Sequence, residues 1–288
     1  MIMTLMNISA DRRSVLTALV GAAVSGSVLG GFGASPAYAT GENDVYVSNT
    51  DLYTKLAGKE GTEFGRRWKR HQYADESRTG TAPFSRTTIM ALHGGGIEGG
   101  TSELCLAIAG YHPATLEPVQ DGRPVHDYWM FEGLRSSGNR ELHVTSTNCD
   151  DRVALSLAGG SLNVLSLHGC TAAQAGAPAS SPEAVVVGGG STDFKAALHL
   201  ELGNAGFTTI DGSTVKDLAG IQADNPCNRT VLGEGGQLEI TAELRTAMFG
   251  VYTNAGRPGS TTEVFWRFTA AVRAAVARLE AGPGQVLL

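Results

Sequence analysis

The sequence predicts an α/β domain with a mixed, mainly parallel sheet and helices on both faces. Two observations point there. Short apolar runs alternate with helix-length segments from Thr87 to Leu279, the pattern of strands buried beneath crossover helices. The chain of 288 residues is 42% hydrophobic and only 17% charged, enough apolar surface for a large core and a poor composition for disorder or a coiled coil. A formal charge of −6 also excludes a general nucleic-acid binder, which needs a positive footprint.

Residues 1–39 are expected to be an export signal, leaving residues 40–288 as the folded domain. Asp11-Arg12-Arg13-Ser14 precedes a weakly apolar run ending in Ala37-Tyr38-Ala39, the small-bulky-small pattern of a cleavage site. The paired arginines resemble a bacterial twin-arginine signal. Gly21, Gly26, Gly30 and Gly31 interrupt the run, which argues against a membrane anchor. The expected product is secreted and keeps no membrane insertion after cleavage.

From Tyr46 to Ser85 the chain is polar, and the basic run Arg66–His71 reads as a solvated face. Strands are then expected at Thr87–Leu92, Leu142–Ser146, Leu162–Leu167, Ala184–Val187 and Gln237–Ile240. Helices are expected at Thr101–Ala109 with Thr101 or Ser102 as cap, Asp150–Ala158, Thr192–Asn204, a short one from Thr241, and Thr261–Leu279. The Ala/Gly/Pro/Ser segment Thr171–Pro182 reads as a surface loop or lid. Cys105, Cys149, Cys170 and Cys227 lack the close spacing of a zinc ribbon or redox motif. An exported chain can pair them, and the spacing chooses no pairing.

In a parallel sheet, ligands bind beyond the carboxyl ends of the strands, and two histidines stand there. His93 opens Gly94-Gly95-Gly96-Ile97-Glu98-Gly99-Gly100, and His168 opens Gly169-Cys170. Imidazoles and a carboxylate converging at strand ends suit a catalytic zinc. His93 and Glu98 are five residues apart, wrong for one helical face, but a glycine loop can fold back and join them. A dinucleotide fingerprint or phosphate loop is not completed. Glu239, on a strand that follows a glycine-rich turn, is the candidate base, and Glu103 is a rival for a metal or orienting role. His71, His112, His126, His143 and His199 lack this context and read as surface or core residues.

Taken in order, His93–Glu103, Leu142–Asp150, Leu165–Cys170, Val185–Gly189, Asn225–Arg229 and Gly236–Ile240 resemble the poly-gamma-glutamate hydrolase family first known from Bacillus phages, over roughly Tyr46 to Arg245. The resemblance implies a zinc hydrolase with a zinc carboxypeptidase-like core, a metallopeptidase-like enzyme cutting gamma-glutamyl amide bonds of an anionic polymer or peptide. It implies one zinc ion on His93, Glu98 and His168, with Glu239 as acid/base. Asn228-Arg229 looks like a pair that holds a substrate carboxylate. Arg229 and Arg245 are candidates for neutralising substrate carboxylates, and Arg135 is a weaker one. Two other functions stay open: an exported zinc amidase or carboxypeptidase acting on cell-wall peptides, and a non-catalytic binding protein on the same fold.

Overall fold

The computed structural model describes residues 44–71, 87–119 and 121–285. The expected signal at residues 1–39 lies outside them. In chain order the elements are α1 (Asn49–Lys55), β1 (Phe64–Lys69), β2 (Thr87–Gly95), α2 (Thr101–Ala109), β3 (Asp127–Gly133), α3 (Arg152–Gly159), β4 (Asn163–Cys170), α4 (Ala172–Ala175), β5 (Ala184–Gly188), α5 (Thr192–Asn204), β6 (Thr208–Asp211), β7 (Gly236–Thr241), α6 (Ala242–Ala247) and α7 (Glu263–Glu280). Among the described residues no helix is long and apolar enough to cross a membrane.

The strands form one sheet in the order β1-β3-β2-β4-β7-β5-β6. Its centre, β3-β2-β4-β7, is parallel; β1 runs antiparallel to β3, β5 antiparallel to β7, and β6 parallel to β5. The expected mixed, mainly parallel sheet is therefore present. Alternation sends its central side chains to two layers. Ile89 and Ala91 of β2, Leu165 and Leu167 of β4, and Leu238 and Ile240 of β7 join the core under α2, α5 and α7. Met90, Leu92 and Val164 face the opposite way, toward α1 and α3.

Several boundaries differ from the sequence reading. Leu142–Ser146 is not a strand but the link between two short 3-10 turns, Asn139–Leu142 and Ser146–Asn148. Leu142 and Val144 are buried at a spacing of two, which imitates a strand, while the backbone bonds locally, His143 N–H to Arg140 O and Asn148 N–H to Thr145 O. The basic run Arg66–His71 is mostly the edge strand β1, not simply a solvated face. Arg67 forms a two-pronged pair with Glu132, and Arg66 bridges Glu60 and Asp151. β3 and β6 were not anticipated either. The cap of α2 is Gly100, in the left-handed region at φ 99°, rather than Thr101 or Ser102. Those two side chains instead brace the preceding loop: Thr101 donates to Glu98 O, and Ser102 accepts from Gly95 N–H. The Thr171–Pro182 segment begins as the short helix α4, opened by a Thr171/Gln174 capping box. All four cysteines are buried and unpaired.

Candidate metal centre

β2 carries one extra residue opposite β3 between Ala91 and Gly94. By simple alternation His93 would follow Ile89 and Ala91 into the α2 layer. The irregularity turns it onto the other face, where His168 already projects in phase with Val164 and Ser166 of β4. The glycine loop then closes on itself through Glu98 N–H to His93 O at 2.8 Å. Gly95 makes this turn at φ +63°, where a Cβ would also lie 2.5 Å from Gly133 O, so a side chain is excluded twice over.

The result is a buried triad. His93 Nδ1 lies 3.1 Å from Glu98 Oε1 and 3.1 Å from His168 Nδ1, and the other Glu98 oxygen accepts from Gly169 N–H at 2.8 Å. One ligand atom from each of the three residues falls within 4.8 Å of the others. Both imidazoles turn Nδ1 inward and use Nε2 outward: His93 on Val144 O at 2.8 Å, His168 on Ser166 Oγ at 2.7 Å. A carbonyl only accepts, so His93 Nε2 holds the proton and a neutral His93 presents a bare lone pair to His168. Two inward ring nitrogens and a carboxylate oxygen need a positive charge between them. The donor set and closeness fit one divalent cation, and three protein ligands are one fewer than a tetrahedral zinc takes.

The proton affinities reflect this crowding. Burial works against charge on His93, but the Glu98 carboxylate outweighs it and holds His93 above the ordinary imidazole range. Burial and the His93 charge push His168 down to about 3. Glu98 is lowered despite its burial because the surrounding imidazoles favour its charge. Glu239 stands directly across from His168 in the β4–β7 register, hence on the same face. Burial and the Glu98 charge raise it well above the usual carboxylate range, against the pull of Arg245 and a 3.0 Å hydrogen bond from Gln237 Nε2.

The other expected site residues divide. Arg245 belongs to this wall: it donates to Ile240 O, Gly99 O and Tyr252 Oη, and its guanidinium packs so closely on Gly169 that a Cβ there would lie 2.5 Å from Cζ. Arg229 is exposed. Asn228 is saturated, donating to Gly220 O and Gln222 O and accepting from Gly190 and Gly235 N–H. Its amide builds the loop and has no donor left for a substrate carboxylate. Arg135 is engaged by Glu63 and Glu141. Glu103 lies beside Arg257 at 3.2 Å and outside the ion-binding triad. His143, read from sequence as an ordinary surface or core residue, packs against His93 with ring centroids 4.0 Å apart and planes tilted by 33°. Ser166, Val144 and Gln237 orient the site as well. The signal for Ser166 and Gln237 was their place two residues before His168 and Glu239 on the same strand faces.

The comparisons with known proteins point the same way. The family model for poly-gamma-glutamate hydrolase matches residues 68–271. Three Bacillus subtilis (strain 168) proteins are related: the SPbeta prophage-derived UPF0714 protein YoqZ, 38% identical over 64% of this chain and 60% of its own length; UPF0714 protein YndL, 32% over 64% and 65%; and UPF0714 protein YmaC, 31% over 66% and 71%. The chain thus spans under two thirds of the first two. A bacteriophage poly-gamma-glutamate hydrolase structure superposes with TM-score 0.66 at 26% identity, covering 82% of this chain and 98% of that one. A zinc-free apo structure of YndL gives 0.65 at 27%, covering 83% and 98%.

Proposed function

The chain belongs to the poly-gamma-glutamate hydrolase family, and from that premise we propose that it is a zinc-dependent hydrolase of gamma-glutamyl amide bonds. The observation that carries this reading is the meeting of His93, Glu98 and His168 around one point, with the Glu239 carboxyl opposite His168 on the next strand. His93, Glu98 and His168 would hold the zinc ion, which would supply a Lewis acid for the amide oxygen and lower the pKa of water.

The chain's own residues do the rest. Glu239 takes a proton from the attacking water and returns it to the leaving nitrogen. Burial and the Glu98 charge raise its proton affinity above the usual carboxylate range, the direction that helps a carboxylate take up a proton and pass it on. Gln237 holds one of its oxygens in place. Arg245 brings a buried positive charge beside Glu239, and exposed Arg229 brings another at the surface. A polymer with one carboxylate per unit calls for such charges. The zinc carboxypeptidase-like core and export through a twin-arginine-type signal belong to the same proposal.

The test is metal content together with hydrolysis. Purified wild type is expected to hold one zinc per chain and shorten poly-gamma-glutamate, and His168→Ala to lose both. Cleavage of a muropeptide and not of the polymer would move the substrate to cell-wall peptides. Wild type that takes up no zinc and cleaves neither would turn the reading to a binding protein.

A further inference from the structure

We propose that Asp44 and His143 form a positioning pair that fixes the His93 ring for the cation, an inference that rests on the ion-site reading above. The two residues are 99 positions apart, and His143 Nδ1 meets Asp44 Oδ1 at 2.7 Å. Asp44 Oδ2 accepts from Thr145 N–H. One carboxylate therefore grips residues 143 and 145, on either side of Val144. Both neighbours that fix His93 lie between those grips: the His143 ring covers its face at 4.0 Å and 33° between planes, and Val144 O receives its Nε2 proton. A turn of the His93 ring would break the carbonyl bond or drive the ring edge into His143, so Nδ1 is held toward Glu98 and His168.

Packing alone does not account for the pair. Asp44 and His143 side chains are only 4% and 7% exposed, and His143 Nε2 is buried with no hydrogen-bond partner. A phenyl ring would fill the same space without desolvating a carboxylate or stranding a ring nitrogen. What the imidazole adds is an anchor to Asp44, and through it a fixed plane against which His93 rests. Outer partners of metal-binding imidazoles act in this way, and their loss costs roughly 10–100-fold in metal affinity. The residue responsible, Asp44, comes from the start of the described chain and is joined to the site only by the fold.

The test reads zinc affinity by competition with a chromogenic chelator, beside the melting temperature of the metal-free protein. His143→Ala and Asp44→Asn are each expected to weaken zinc by ~10–100-fold, with the metal-free melting temperature moving far less than the affinity would suggest. His143→Phe, which keeps the ring face but not the anchor, is expected to recover part of the loss. The double variant is expected to be weaker than His143→Ala but by less than the sum of the two single losses, because Asp44 acts partly through His143 and partly through Thr145. Zinc affinity within about twofold of wild type for both single variants would overturn the pairing. So would a loss of affinity that only tracks unfolding and that His143→Phe does not reduce. Wild type that binds no zinc would instead overturn the ion-site reading on which the pairing rests.

Discussion

Glu98, Glu103 and Glu239 are all buried carboxyls, and their neighbours separate them. Glu98 faces imidazoles and stays charged. Glu103 has Arg257 on one oxygen and no partner on the other, so burial raises it in spite of the guanidinium. Glu239 feels burial first and the Glu98 charge second. Only Glu239 is both close to the triad and outside it. Glu239→Gln is therefore expected to retain zinc while losing hydrolysis by ~10²–10⁴-fold; zinc-loaded variant protein with near wild-type turnover would remove Glu239 from the base role. Gly169→Ala tests the wall from the other side. Its methyl would sit 2.5 Å from Arg245 Cζ, and overpacking of this kind costs about 1–3 kcal/mol. The expected result is a lower denaturation midpoint together with a raised KM, since Arg245 must shift; an unchanged KM would place Arg245 outside substrate binding.

At the scale of elements, the site is a glycine loop held by two neighbours. The segment after α6 supplies Tyr252, which donates to Gly99 O, and Arg257, which donates to Gly95 O and to Asn254. Arg257 is also the only cation beside Glu103 among the pairs described. Arg257→Ala is expected to destabilise the fold by roughly 3–5 kcal/mol, because it leaves a buried carboxyl without its partner. Arg257→Lys should recover only part, since an ammonium cannot reproduce the fork; urea unfolding of the two variants measures both. The elements around the triad were legible because their apolar runs are buried: α2 and α5 span the residues their pattern predicts, although α2 is capped by Gly100, and β2, β4, β5 and β7 are built on Ile, Val and Leu. The missed strands are edges or mixed runs. β1 spells Phe-Gly-Arg-Arg-Trp-Lys and is held by ion pairs to Glu60, Asp151 and Glu132, contacts that no local pattern records. His93, Glu98 and His168 were readable because glycines mark their loops. His143 was not, since its anchor Asp44 is 99 residues away.

Across the whole molecule, acid should act at two separate ends of the sheet. The triad lies at the carboxyl ends of β2 and β4, whereas His126 precedes the amino end of β3, against Glu280 and Arg273 of α7. Burial first, then the charges of Arg273 and His71, push His126 down to about 4 from 6.5. The unfolded chain therefore takes this proton before the folded one does. Stability from the neutral ring is complete above about pH 6.5 and is lost as pH falls toward 4, with a slope of about 1.4 kcal/mol per pH unit for one proton. His168, also depressed, adds a loss of the same sign in metal-free protein. His126→Asn removes one titrating group without touching the triad. Its metal-free form is expected to lose stability less steeply between pH 6.5 and 4 than wild type, while its zinc affinity at neutral pH stays the same. Equal slopes in the two proteins would mean that His126 is not protonated on unfolding. A fall in zinc affinity would mean that the two ends of the sheet communicate through β3 and β2, which the separate neighbours of His126 (Glu280, Arg273) and of His93 (Glu98, His168, Val144) argue against.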